Sequence, residues 1–119
     1  MPFRLESIEE ADTEFLGLPP DVREVFISAF RELAASDSPL AAAPGWYTEE
    51  LRQKQRVAPE GVFSLHVGAL WRGVFIRRRK SLVFIAFGFR RPDFYAKLDR
   101  LRHVVARAES PGRDLPRSS

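Results

Sequence analysis

The sequence predicts an α+β domain, a small antiparallel sheet packed by an N-terminal helical hairpin and a C-terminal helix. Three observations carry that prediction. Apolar residues recur at helical spacing from Ile8 to Leu33, the period changes to two from Val62, and a last helical stripe follows Pro92. With 119 residues, 45% hydrophobic and 29% charged, the chain has room for one core and is too apolar to remain unfolded. A single domain is expected over 1–109, followed by a disordered tail over 110–119, where Pro, Gly and Ser accumulate.

The elements follow in order. Phe3 and Leu5 alternate with polar residues as a short strand, and Ser7 with Glu10 has the spacing of a capping box that opens the first helix. Ile8, Ala11, Phe15 and Leu18 form its stripe. Pro19 and Pro20 interrupt it, and Pro20 or Asp21 starts a second helix whose apolar residues are Val22, Val25, Phe26, Ala29, Phe30 and Leu33. Residues 36–47 are rich in Ser, Ala, Pro and Gly and are expected to form a loop, with Trp46 and Tyr47 pinning its end. Thr48 to Gln55 is expected to form a helical turn.

From Val62, residues Phe63, Leu65 and Val67 point one way and Ser64 and His66 the other, a strand with one buried face. Gly68 permits a tight turn. A three-residue connection, Gly68 to Leu70, sets Val67 opposite Trp71 and His66 opposite Arg72. The strand Trp71 to Arg77 passes through a basic turn, Arg78 to Ser81, into Leu82 to Phe89, whose unbroken hydrophobicity predicts a central strand covered on both faces. Pro92 and Asp93 then start a helix with Phe94, Leu98, Leu101 and Val105 on its sheet-facing stripe and Tyr95 on its flank.

Charge is polarised along the chain. Residues 1–51 carry eleven acids and three bases, whereas 52–119 carry sixteen bases and five acids, so a net charge of +3 conceals a half suited to polyanions. The absence of cysteine excludes a disulfide scaffold and thiolate chemistry. The N-terminal residues MPFRLESIEEAD contain neither the basic leader nor the apolar run of a signal peptide, which fits a cytoplasmic protein. The longest near-apolar run, Leu82 to Phe89, has eight residues against the roughly 20 that a membrane helix requires, so no membrane association is expected. Two histidines far apart in the chain and no cysteine give no recognisable metal-ligand set. Walker, dinucleotide and nucleophile-elbow motifs are missing, so no cofactor is expected.

Several residues carry possible chemistry. Arg72, Arg90 and Arg91 sit at the ends of apolar strands, where the core fixes their positions and a guanidinium fork suits phosphate; strand-end charge alone would also explain them. The run Arg77, Arg78, Arg79 and Lys80 is either a solvated turn that discourages edge pairing or a second set of phosphate contacts. His66, facing Arg72, is either a proton-transfer group near neutral pH or a hydrogen-bonded structural histidine. His103, inside the last helix, reads as structural or exposed. Such a set is compatible with cutting RNA through its own 2′-hydroxyl, which requires a held phosphate, stabilised charge and proton transfer but no metal.

The segment VFSLHVGALWRGVFIRRRKSLVFIAFGFRRPDFYAKL, preceded by LPPDVREVFISAFREL, resembles the RelE/ParE superfamily of bacterial toxin components over roughly residues 3–107. The resemblance implies a type II toxin, held inactive by a cognate antitoxin. RelE-like members are metal-independent ribonucleases that cut mRNA in the ribosomal acceptor site; ParE-like members poison DNA gyrase. A catalytically inert, RNA- or partner-binding relative is a third class. By this resemblance Arg72 contacts the scissile phosphate, Arg90 or Arg91 stabilises it, and Tyr95 stacks on or orients the nucleotide. The strand lysines of RelE-type enzymes are replaced here by Ser64 and His66, which shifts the proton-transfer role to His66 or to Glu60.

Overall fold

The computed structural model describes residues 3–51, 61–91, 94–100 and 113–114. Strand β1 (Arg4–Ser7) leads into helices α1 (Glu9–Leu16) and α2 (Pro20–Ala34). Strands β2 (Ala42–Ala43), β3 (Trp46–Glu50), β4 (Val62–Val67), β5 (Trp71–Arg78) and β6 (Ser81–Phe89) follow, then a 3-10 helix (Phe94–Arg100) and the short strand β7 (Arg113–Asp114). These strands form one sheet in the order β2-β3-β4-β5-β6-β1-β7. The sheet is mixed and not antiparallel as expected, because β1 runs parallel to β6, with Leu5 opposite Leu82 and Ser7 opposite Phe84. Parallel neighbours need a long crossover, and nothing local to β1 marks its partner. Among the described residues no helix is long and apolar enough to cross a membrane.

The aromatic part of the core lies between the helices and one face of the sheet, while Val62, Val74, Val83 and Ala86 are buried on the other face. Phe15 of α1 and Phe26 and Phe30 of α2 meet Phe84 and Phe87 of β6, with ring centroids 5.2 Å apart for Phe15–Phe87 and Phe26–Phe87 and 5.1 Å for Phe30–Phe84. All three pairs are edge-to-face, the arrangement that aligns ring edge with ring face. Phe84 and Phe87 are three residues apart yet share this face because β6 carries a bulge. Val74 pairs with Ala86 but Phe75 pairs with Phe84, so Ile85 is the extra residue and the alternation of β6 inverts there. Gly73 completes the packing: a Cβ at this position would lie 2.9 Å from the Phe87 ring and 3.2 Å from that of Phe26.

Local expectations were overturned in four places. The Ser7–Glu10 capping box is not made; Ile8 is the N-cap, and the Ser7 hydroxyl donates instead to the buried carboxylate of Asp12. The loop expected over 36–47 contains a hairpin, with Ala43 opposite Trp46 across Pro44 and Gly45, whose φ of 93° suits the third position of a Pro-Gly turn. Thr48 to Glu50 extend β3 rather than forming a helical turn, with Thr48 opposite Leu65 and Glu50 opposite Phe63. Trp, Tyr and Thr favour a pleated, half-buried surface, and β4 supplies one. Residues 52–55 lie outside the described residues, as do Glu60, Pro92, Asp93, Leu101, His103 and Val105.

The fourth correction concerns the C-terminal helix. Its described part is wound as a 3-10 helix, whose period of three aligns Phe94, Lys97 and Arg100 on one face. That face closes the part of the β6 edge that β1 leaves unpaired. Lys97 Nζ donates to the Phe87 carbonyl at 3.3 Å, and Arg100 Nη1 donates to the Ile85 carbonyl at 3.1 Å. Glu14 of α1 joins them: its Oε1 accepts from the Phe87 N–H at 3.1 Å and from Arg100 Nη1 at 2.7 Å, its Oε2 from Arg100 Nη2 at 3.0 Å. Lys97 Nζ lies 2.9 Å from Oε2. One carboxylate therefore ties α1, β6 and the 3-10 helix together, an arrangement that the apolar stripe of this segment does not announce.

Candidate active site

Four strands contribute one residue each to a continuous row. Tyr47 of β3 stands opposite His66 of β4, His66 opposite Arg72 of β5, and Arg72 opposite Gly88 of β6. Gly73, the next residue after Arg72, faces Phe26 of α2, so the row of Arg72 lies on the face away from the helices. The pairing of His66 with Arg72 is the one that the three-residue connection predicts, and Gly68 adopts a φ of 58° within it. The expected single buried face of β4 is not found: every residue from Val62 to Val67 is buried, Ser64 and His66 included. For His66 the covering group is on β3, a strand that the sequence reading did not contain. Its Tyr47 ring stacks on the His66 imidazole with centroids 4.4 Å apart and planes 14° from parallel.

Glu49, two residues beyond Tyr47 on the same face, brings Oε1 to 2.8 Å from His66 Nε2. His66 is only 4% exposed, and Arg72 6%. The Arg72 guanidinium is turned into the adjoining turn: Nη1 donates to the Trp71 carbonyl at 2.9 Å and Nη2 to the Ala69 carbonyl at 3.1 Å. Its Nε is buried without a partner, and so is Oγ of Ser64, which stands opposite Glu49. Buried polar atoms left unmatched are rare in folded proteins; Arg23 Nε on α2 is another, and those of Arg72 and Ser64 share one polar face. Gly88 ends the row without a side chain because the 3-10 helix fills that space; a Cβ there would lie 3.2 Å from the Phe94 ring and 3.2 Å from Lys97 Nζ. Tyr95 sits beside Phe94, edge to face at 5.2 Å.

The remaining arginines divide by position. The Arg90 N–H donates to the Leu70 carbonyl at 2.6 Å, which holds this exposed residue at the same end of the sheet as Arg72. Arg91 is exposed too, but its guanidinium lies 5.8 Å from the centroid of the Phe89 ring, and Phe89 pairs with Trp71 in the neighbouring row on the helix face. Arg77 pairs with Leu82 and Arg78 with Ser81 at the far end of the β5–β6 hairpin. Six residues of strand at about 3.3 Å each put that end about 20 Å from Arg72. There the Arg77 guanidinium lies 5.2 Å from the centroid of the Phe3 ring, and Arg79 turns the chain with a φ of 55° while Lys80 completes the turn.

The fold thus brings His66 and Arg72 together, sets Tyr95 and Arg90 near their end of the sheet, and separates Arg77 to Lys80 from them. Tyr47 and Glu49 are the site residues that sequence reasoning missed. The alternation of Trp46, Thr48 and Glu50 with Tyr47 and Glu49 was the available signal, obscured by the Pro-Gly-rich stretch before it. Among the described residues no three His, Asp or Glu side chains gather as a metal site.

No family model matches the sequence, and no curated protein matches it. Among solved structures, a doubly arginine-substituted mutant of the E. coli toxin RelE in the free state is similar at 19% identity, covering 85% of this chain and 99% of that one, with a TM-score of 0.53. The RelBE2 toxin-antitoxin complex from Mycobacterium tuberculosis shares 21% identity over 76% of this chain and 100% of that one, but its TM-score of 0.44 is too low to bear on the fold. The likeness to E. coli RelE shows the architecture to which these strands and helices belong: this chain has a RelE-like α+β fold.

Proposed function

We propose that the protein is the toxin of a type II toxin-antitoxin pair and that it cuts mRNA on the ribosome without a metal, through attack by the RNA's own 2′-hydroxyl. The observation that carries this reading is the polar row on the sheet: a buried cation, Arg72, beside the paired His66 and Glu49, at the end of the sheet where Arg90 and Arg91 are exposed. Arg90 and Arg91 meet the phosphate backbone as charge-assisted donors, Arg72 supplies fixed positive charge beneath it, the His66–Glu49 pair moves protons, and Tyr95 positions a base. Arg77 to Lys80 hold RNA at a distance from the cut. An antitoxin with acidic and apolar residues would neutralise this surface by covering its cations.

A cell-free translation reaction with mapped mRNA 5′ ends tests the reading. Codon-phased cuts that weaken at least a hundredfold in Arg72→Ala are expected, about the effect of removing one preorganised charge-stabilising donor. Absence of cuts, or equal cutting by Arg72→Ala, rejects it. One observation favours a second reading: both Nη atoms of Arg72 are held by main-chain carbonyls, which suits a protein that binds without cutting, such as a ParE-like gyrase inhibitor. Inhibition of DNA supercoiling with intact mRNA would establish that alternative.

A further inference from the structure

We infer that the carboxylate of Glu49, and not the imidazole of His66, is the proton acceptor of this site, with His66 as the residue that positions it. The inference rests on the ribonuclease reading and names the group in it that meets the RNA. Sequence alone favours His66, because histidine is the residue type whose unperturbed side chain changes charge near neutral pH. The fold withdraws that histidine from solvent. Tyr47 lies flat against its ring, and its Nε2 already sits 2.8 Å from Glu49 Oε1. A general base has to come within about 2.6–3.2 Å of the group it deprotonates, and Glu49 Oε1 lies that close to the buried Nε2. A ribose approaching this face meets Tyr47, which is 43% exposed, and Glu49, whose side chain is 22% exposed, before it meets His66.

The surroundings agree with this order. Ser64 Oγ stands opposite Glu49 and Arg72 Nε opposite His66, both buried and without partners, so the unmatched polar atoms border the same pair. Glu49 and Tyr47 come from β3, beside the histidine strand, and their positions are fixed by five consecutive residue pairings with β4. A carboxylate held in this way is oriented before substrate arrives, which is what positioned proton transfer requires. In the reaction Glu49 takes the proton of the 2′-hydroxyl, and the 2′-oxygen forms a bond to phosphorus. The bond from phosphorus to the 5′-oxygen breaks, its electron pair going to that oxygen, which takes a proton from water. The products end in a 2′,3′-cyclic phosphate and a 5′-hydroxyl, and Glu49 returns its proton to solvent.

Single-turnover mRNA cleavage by the full-length protein in a translation reaction, measured against pH, is the test. Glu49→Gln is expected to slow cleavage by about a hundredfold or more and to abolish the rise of rate with pH on the acid side. His66→Asn, which keeps a donor near Glu49, is expected to slow cleavage by about tenfold while retaining that rise. Glu49→Gln at the wild-type rate, or loss of the acid limb in His66→Asn but not in Glu49→Gln, overturns the assignment and returns the role to His66. If Glu49→Gln does not fold, Glu49→Asp provides the decision: slower cutting with the acid limb kept supports the assignment, and an unchanged rate overturns it. A wild-type protein that makes no cuts removes the ribonuclease reading and this inference together, whereas cutting indifferent to residue 49 removes the inference alone.

Discussion

Glu14 occupies a place where two carboxylate oxygens serve donors from β6 and from the 3-10 helix. Burial works to raise its pKa, but hydrogen bonds from Arg100, Lys97 and the Phe87 N–H outweigh that effect, so the carboxyl is held below its ordinary value of 4.5. A depressed carboxylate stabilises the folded state above the unfolded value, and that stability is lost as pH falls from 4.5 through the lower folded value. Urea unfolding across this window should show wild type losing stability with falling pH more steeply than Glu14→Gln. At neutral pH the substitution should cost about 1–3 kcal/mol, since it removes the charge that Arg100 and Lys97 share. Arg79 offers the opposite sign. With φ at 55° it occupies left-handed backbone that side chains disfavour, so Arg79→Gly should raise unfolding stability by about 1 kcal/mol. At this scale the sequence disclosed the facing of His66 and Arg72, because the length of one turn sets it. It could not disclose Glu14 or Glu49, whose partners are brought in by distant strands and helices.

Elements were legible where their period was unbroken. Helix α2, β4, β5 and β6 stand where their apolar patterns put them, and Pro20 lies in the first turn of α2. Strand β3 was concealed because its neighbours are turn-forming residues, and the place of β1 beside β6 was concealed because pairing at long range leaves no local trace. The bulge at Ile85 was equally silent, although it is what sends both Phe84 and Phe87 toward the helices. Gly73 is where α2 and β6 press on β5, and Gly73→Ala should destabilise by about 1–3 kcal/mol, since neither Phe87 nor Phe26 can retreat within a packed core. Thermal unfolding would register that loss. An Ala at Gly88 meets Phe94 and Lys97 instead, so faster amide exchange confined to 94–100, with core amides still protected, is expected.

Over the whole molecule the polarity of charge sets how the proposed RNA binding should respond to salt. Each phosphate contact to a single strand contributes a slope of about −0.7 in log affinity against log salt. With an RNA too short to span the roughly 20 Å between the ends of β5, Arg90→Ala with Arg91→Ala should flatten that slope by about 1.4. Replacing Arg78, Arg79 and Lys80 by alanine should leave it unchanged until the RNA is long enough to reach both ends. Fluorescence anisotropy at several salt concentrations measures both. The position of β1 between β6 and β7 has a consequence for the birth of the protein. A chain emerging from the ribosome at about 5–20 residues per second exposes Phe15, Phe26 and Phe30 several seconds before Phe84 and Phe87 exist to cover them. Strand β1 is made before β2 to β5 yet waits for β6, so an interrupted chain lacking residues 81–89 has helices without a floor and no row of Tyr47, His66, Arg72 and Gly88. Such a fold acquires its polar site only once β6 has been made.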